Sequence, residues 1–320
     1  MVKIAVAAPG QVASEIIEGL VATGKHEIIL LARRDPRAGD ITEGVTWNKV
    51  DFSNKESLTS ILSGVHTVLS FVMAHTDENS VSQKTLIDAS IAAGVKRFAP
   101  SEWFIANYNV LSWYYEKLRV REYLEEVNKD KKVLEYTLFQ PGMFTDYFAN
   151  VQTNKYVVHN NFLPWDFDNR SIFSFSGKLD GRLTATSVKD MVNIVAKAVE
   201  YEGEWPKVGG IAGDTVTLAE ILDLGKKIRG GNWKVINLDL DALKRGELDD
   251  AYVRIIDHPA LANLDEASKL AFSKNAFIGF LLAISDPNEC VVSNEWNGIF
   301  PDYKFTTVEE YVSKFWAGKP

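Results

Sequence analysis

The residues that could do chemistry begin at the start of the chain. Lys3-Ile4-Ala5-Val6-Ala7 is a short apolar run, and the turn Ala7-Ala8-Pro9-Gly10-Gln11-Val12-Ala13 leads into a segment with apolar residues at 12, 13, 16, 17 and 20. That spacing is helical. A strand that turns into a helix N-terminus offers unpaired backbone N–H groups and the positive end of the helix dipole, which suits a phosphate. A dinucleotide turn needs glycine where the backbone must approach the pyrophosphate. In the spacing G-x-x-G-x-x-G only Gly10 is glycine, with Ala7 and Ala13 in the outer places. The turn alone therefore fits either a nucleotide site or a plain strand–turn–helix. Its candidate ligand contacts are Ala7, Pro9, Gly10, Gln11 and Val12.

A second cluster closes the next apolar run, residues 27–32, which ends in Arg33-Arg34 with Arg37 close by. An acidic residue at this place would accept from a ribose 2′-hydroxyl, whereas a guanidinium suits a 2′-phosphate through charge-assisted hydrogen bonds. The alternative is a solvated basic loop. Gly19-Leu20-Val21-Ala22-Thr23-Gly24-Lys25 imitates a P-loop, but His26 stands where Mg²⁺ would need Ser or Thr, and the stretch leaves a helix for a strand. Gly24 reads instead as a helix C-cap. The chain has no His-Glu-x-x-His, no Gly-x-Ser-x-Gly and no cysteine cluster. Metal-dependent hydrolysis and serine esterase chemistry thus have no support, and no metal site is expected.

Alternating elements must position these groups. Strand patterns at 3–7, 27–32, 45–50, 66–72, 97–99 and 134–139 alternate with helix patterns at 12–22, 81–93 and 112–128. A further helix is opened by Ser53-Asn54-Lys55-Glu56, which reads as a capping box. Such a series predicts right-handed βαβ crossovers and a parallel sheet covered on both faces. The later part differs: 160–169 reads as loop, 182–186 as strand, 188–199 as helix. Thr217-Leu218-Ala219-Glu220 caps a helix to about Ile228, which Gly230-Gly231 breaks, and 242–283 reads as helices. No repeat and no Pro- or Ser-rich linker divides the halves, so they should pack closely.

Composition bounds the rest. A length of 320 residues suits about two domains. Apolar residues are 46% and charged residues 24%, the balance of an ordinary globular protein. The net charge of -8 would repel a phosphate backbone, which argues against nucleic acid as a partner. The single cysteine, Cys290, forms no internal disulfide and fits a reducing compartment, so a cytoplasmic location is expected. The first apolar run is too short for a signal peptide. No stretch reads as the ~18 apolar residues of a membrane span.

The order of several stretches resembles the isoflavone-reductase-like, NmrA-like branch of the atypical short-chain dehydrogenases. These are the N-terminal turn, Ala32-Arg33, Asp51-Phe52 and Ser70-Phe71-Val72; Arg97-Phe98-Ala99-Pro100-Ser101-Glu102-Trp103; Lys117 ahead of Arg121; Gln140-Pro141-Gly142-Met143-Phe144; Thr186-Ser187-Val188-Lys189-Asp190; and Phe300-Pro301-Asp302. The likeness spans nearly the whole chain, through order and spacing rather than one motif. It implies a Rossmann-type doubly wound parallel sheet that binds NADPH over residues 1–150. Residues 151–320 would form a smaller, mainly helical C-terminal lobe for substrate, with some segments returning to the sheet. Asp51, Ser70, Phe71, Val72, Pro100, Ser101, Lys117, Pro141 and Phe144 would join the N-terminal turn, Arg33 and Arg34 around the cofactor. His75, Trp103, Trp113, Tyr114, Met143 and Tyr147 would face substrate.

The same resemblance makes Lys117 the catalytic candidate, since the family's reductases carry a catalytic lysine followed four residues later by arginine. A partly buried lysine has a lowered pKa suited to delivering a proton to a carbonyl or quinone-methide oxygen. Trp113 and Tyr114, four and three residues earlier, would share its helical face. Trp113 occupies the tyrosine place of the wider Tyr-x-x-x-Lys pattern, and Tyr114 would point about 100° further round the helix. Ser101 could act at the cleft or cap a turn. The expected function is an NADPH-dependent reductase of a small, aromatic, phenylpropanoid-, flavonoid- or ketone-like substrate. The alternative is an NADP(H)-sensing regulator without activity. A homodimer is compatible with the chain, and the sequence does not decide it.

Overall fold

The computed structural model describes residues 2–37, 40, 43–158, 162–256, 261 and 263–319. The first half runs β1 (Lys3–Ala7), α1 (Gln11–Ala22), β2 (Glu27–Ala32), β3 (Val45–Lys49), α2 (Lys55–Ile61), β4 (Thr67–Ser70), α3 (Val81–Ala92), β5 (Arg97–Ala99), α4 (Tyr115–Val127), β6 (Glu135–Tyr136) and β7 (Leu138–Gln140). Six strands form one parallel sheet in the order β3-β2-β1-β4-β5-β6. The chain builds outward from β1 to β3, then restarts on the other side of β1. The crevice at the C-terminal ends of β1 and β4 is therefore the topological switch point, where open α/β sheets bind ligands.

Strand alternation sorts the core. Ile4 and Val6 pack with Ala13, Ile16 and Leu20 of α1 on one face, while Ala5 and Ala7 pack with Leu58, Leu86 and Val120 on the other. Gly24, just past α1, takes φ +66, as the helix-end reading requires. At the second capping site the structure departs from the pattern. Asn54, not Ser53, caps α2 by accepting from the Ser57 N–H, and the Ser53 hydroxyl donates to Asp51.

The second half adds β8 (Met143–Phe144), β9 (Trp165–Asp166), β10 (Ser171–Phe175), β11 (Arg182–Thr186), α5 (Val188–Glu200), β12 (Val208–Gly210), β13 (Asp214–Thr217), α6 (Leu218–Arg229), β14 (Lys234–Leu238), α7 (Leu240–Lys244), α8 (Glu266–Ser285), α9 (Glu295–Ile299) and α10 (Val308–Trp316). α5 returns to the sheet and lies so close on α1 that a Cβ at Gly19 would sit 2.1 Å from Val192. β12 pairs with β7 beside the sheet edge. Two small sheets, β14-β10-β9 and β13-β11-β8, accompany the helices. The stretch 160–169 contains β9 in its described part, residues 162–169, and residues 160 and 161 lie outside the described residues. Residues 257–260 and 262 of the stretch read as helical also lie outside them. Among the described residues α8 is long and apolar enough to cross a membrane by length and composition, contrary to the reading above. Phe277, Leu281 and Ile284 of this helix are instead packed in the core of the second half with Leu183, Val312 and Trp316.

Candidate cofactor and active site

The first βα turn has the form of an anion cradle. Ala7 is buried at the end of β1, Ala8 takes φ +54, and Pro9 and Gly10 open α1. Gly10 is the N-cap but contributes no side-chain cap, and the first turn of α1 carries no acidic residue. The first-turn N–H groups, which have no intrahelical acceptors, thus face outward at the positive end of the dipole. Gly10 has φ -130, open to any residue, and a Cβ there would meet nothing within 4 Å. The space beside it is open. Gln11 partly turns away: its side-chain oxygen accepts from the Val158 N–H. Val12 lies in the first turn.

The two arginines after β2 differ. Arg34 donates to Asp40 and lies over the Trp47 ring at 5.3 Å. Arg33 donates to the Ser82 hydroxyl at 3.0 Å and lies over Phe52 at 5.5 Å. No carboxylate forms an ion pair with it among the described residues. Arg33 is therefore the guanidinium better placed to take a phosphate, and Arg34 is engaged elsewhere. Asp51 is exposed, and its carboxylate accepts from the Ser53 N–H and hydroxyl, which holds it below the usual carboxylate range.

The ends of β4 and β5 are tied together by a residue the motif reading passed over. Gln83 of α3 is buried, and its side-chain oxygen accepts from both the Ser70 hydroxyl and the Ser101 N–H. Asp77 anchors the same helix by accepting from the Ser82 and Gln83 N–H groups. Phe71, Val72 and Pro100 line these buried strand ends. His75 is exposed in the short turn Ala74–Thr76. Trp103, expected at the substrate, instead belongs to a stack: its ring lies 4.5 Å from Phe71 and 5.3 Å from Phe139, and its indole N–H donates to the Ser70 carbonyl. Large flat rings gain most when both faces are covered, which draws Trp103 inward.

Lys117 is buried in the first turn of α4, with only 6% of its surface exposed. Its ammonium donates to the Glu102 carbonyl and lies 4.3 Å from the centre of the Tyr114 ring and 5.5 Å from that of Tyr108. Burial lowers its pKa to about 8; the Glu102 carboxylate opposes the drop and Arg121 adds to it. Burial pushes the Tyr108, Tyr114 and Tyr147 hydroxyls upward instead. Among these groups, only the lysine is moved toward neutral pH.

Trp113 and Tyr114 do not sit as an α-helix would set them. Ser112–Tyr114 is a tight 3₁₀ turn ahead of α4. About three residues per turn swings the rings round relative to an α-helix. Tyr114 thereby covers Lys117, while Trp113 packs on Gly279 of α8, where a Cβ would sit 3.0 Å from the indole. Pro141 and Met143 are buried next to Gly142, whose φ is +70. Phe144 meets Tyr147 edge-on at 5.6 Å. Glu102 and Tyr108 were not singled out from the sequence. The available signal was an acidic residue set between Ser101 and Trp103 in an otherwise apolar strand end. Gln83 carries no sequence signal.

Known proteins resemble this chain along most of its length. Oxidoreductase BOA1 of Botryotinia fuckeliana is 29% identical over 244 residues, 73% of this chain and 78% of that protein. The NADPH-dependent quinone oxidoreductase QOR2 of Escherichia coli, solved in complex with NADPH, superposes with a TM-score of 0.65 at 20% identity, covering 97% of this chain and 99% of that one. Leucoanthocyanidin reductase of Vitis vinifera, solved as a ternary complex, gives 0.62 at 18%, covering 98% and 99%. A sequence model of the NmrA-like family matches residues 2–312, and the chain belongs to that family.

Proposed function

We propose that the protein is an NADPH-dependent reductase of a small aromatic carbonyl or quinone, working through residues 1–150 as the cofactor part and much of 151–320 as the wall of the substrate cleft. The observation that carries this reading is Lys117, a buried amine brought to a pKa of about 8 and held on the Glu102 carbonyl just after β5. The cradle fits the cofactor: an N-terminus of α1 without a side-chain cap, open space at Gly10, and Arg33 at the end of β2. The N–H groups of α1 would hold the pyrophosphate and Arg33 the 2′-phosphate. When bound, NADPH supplies the hydride.

The chain's own residues handle the charge that follows. Hydride addition to a carbonyl carbon leaves an electron pair on its oxygen. The Lys117 ammonium stabilises that oxyanion and passes it a proton, ending as a neutral amine that recovers its proton from solvent. With a pKa of about 8 the lysine is mainly charged at neutral pH yet gives up its proton readily. Phe104, Tyr114, Trp113 and Tyr147 supply an apolar, aromatic surround that favours flat substrates and excludes water. The named activities of the relatives, a quinone oxidoreductase and a leucoanthocyanidin reductase, support that substrate class.

The test is single-turnover NADPH oxidation with a panel of quinones, aromatic ketones and flavonoid-like compounds, comparing wild type with Lys117→Ala. A loss of roughly 10²–10⁴-fold with cofactor affinity nearly unchanged is expected for one acid–base group. Near-normal turnover would remove lysine from the mechanism. Tight NADPH binding with no reduction of any compound would favour a nucleotide-sensing role instead.

A further inference from the structure

We propose that Glu102 is a positioning residue for Lys117: its main-chain carbonyl accepts from the ammonium, and its carboxylate, clamped by Arg121 and Tyr108, holds a charge pair beside the amine that governs where its proton sits. The proposal rests on the catalytic reading of Lys117 above.

The clamp is closed on every side. Glu102 is 1% exposed. Arg121 donates to both of its oxygens, Nε to Oε1 at 2.9 Å and Nη2 to Oε2 at 2.6 Å. The Tyr108 hydroxyl adds a third bond to Oε2 at 3.0 Å. Arg121 also donates to the Ala106 carbonyl and stacks over the Tyr108 ring at 4.9 Å. A fork-on-fork pair of this kind fixes direction as well as distance.

The backbone around Glu102 is bent to suit. Its N–H donates to the Pro100 carbonyl at 2.8 Å, and the next residue, Trp103, takes φ +51. For a bulky side chain that region is strained, and such strain persists only where the surroundings over-determine it. Here they do, through the Phe71–Trp103–Phe139 stack and the indole bond to Ser70. At this bend the buried Glu102 carbonyl accepts from Lys117 Nζ.

A clamp that merely braced the fold would leave the amine's protonation untouched. This one sets a negative and a positive charge around it: Glu102 from the turn after β5 and Arg121 one helical turn along α4. The remaining titratable groups on that side, Tyr108 and Tyr114, present rings. Tyr147 lies beyond Tyr114. Removing the two charges must therefore move Lys117 in opposite directions. Glu102→Gln leaves Arg121 unopposed and disfavours the ammonium; Arg121→Gln leaves the carboxylate unopposed and favours it.

The experiment follows the Lys117 ¹³Cε resonance across pH in the full chain without ligand, assigned by its absence in Lys117→Met. The pH dependence of NADPH oxidation with 1,4-benzoquinone is measured alongside. The Lys117 midpoint should fall by about one unit in Glu102→Gln and rise by about one unit in Arg121→Gln, while Arg121→Lys, which keeps the charge, stays near wild type. The high-pH limb of the activity should move with each midpoint. Midpoints that stay put, or that move the same way in both variants, overturn the proposal. Should Glu102→Gln fail to fold, the Arg121→Gln and Arg121→Lys pair still decides the sign. If the midpoints shift as stated but Lys117→Ala retains turnover, the positioning role stands and the catalytic reading fails.

Discussion

Lys117→Met should raise the protein's stability at neutral pH, or leave it unchanged, because the wild-type fold holds a charge it would rather not have. The amine falls from its ordinary 10.5 to about 8 on burial. A drop of about 2.5 units corresponds to about 3 kcal/mol of disfavour for the charged form. Methionine fills similar space without a charge, but it leaves the Glu102 carbonyl without its donor, a cost of about 1–3 kcal/mol. The net gain at pH 7 is therefore about 0–2 kcal/mol. The pH dependence is more telling. Below about 8 the lysine is protonated both folded and unfolded, and the full penalty is present. Between about 8 and 10.5 the unfolded chain binds the extra proton, so wild-type stability rises with pH. Above that window the penalty is gone. The assay is urea unfolding of wild type and variant in steps from pH 7 to 10.5, taking the difference so that other titrations cancel. Wild type should gain about 3 kcal/mol on the variant across the window. A difference that stays flat with pH would show that Lys117 is not desolvated, and the reasoning about its acidity would fail with it.

Gly10→Val should leave the fold intact, since φ -130 suits any residue and the Cβ meets nothing within 4 Å. NADPH affinity by calorimetry should drop by about tenfold or more, a change of about 1.4 kcal/mol, and normal binding would place the cofactor elsewhere. Arg33→Ala should weaken NADPH relative to NADH by about 1.5–3 kcal/mol, with Arg34→Ala costing less because its guanidinium already serves Asp40. Equal losses from the two would refute the distinction. Tyr114→Phe keeps the ring over the amine and should change single-turnover rates little, whereas Tyr114→Ala removes a contact of about 0.5–2 kcal/mol and should slow them. Equal effects of Phe and Ala would assign the role to the hydroxyl.

Local pattern was enough for the doubly wound sheet, because apolar runs at 3–7 and 27–32 and helical spacing at 12–22 express burial rules that act within a few residues. It was also enough for the Thr217 capping box, whose partners lie three residues apart, and for the Gly10 turn. Asn54 rather than Ser53 at the start of α2 shows where such local rules compete closely. The inner arrangement of the site was decided only in three dimensions. Whether Trp113 or Tyr114 covers Lys117 depends on a 3₁₀ turn and on Gly279, a residue of α8 far along the chain, opening room for the indole. Trp103 joins a stack whose other members come from the β4 end and from β7. Gln83 joins Ser70 to Ser101 across two strand ends, a bond no spacing rule foretells. The lysine's acidity likewise comes from what surrounds it. Desolvation, a clamped carboxylate and a neighbouring guanidinium act through space, so the sequence names the amine while the packing sets its proton affinity.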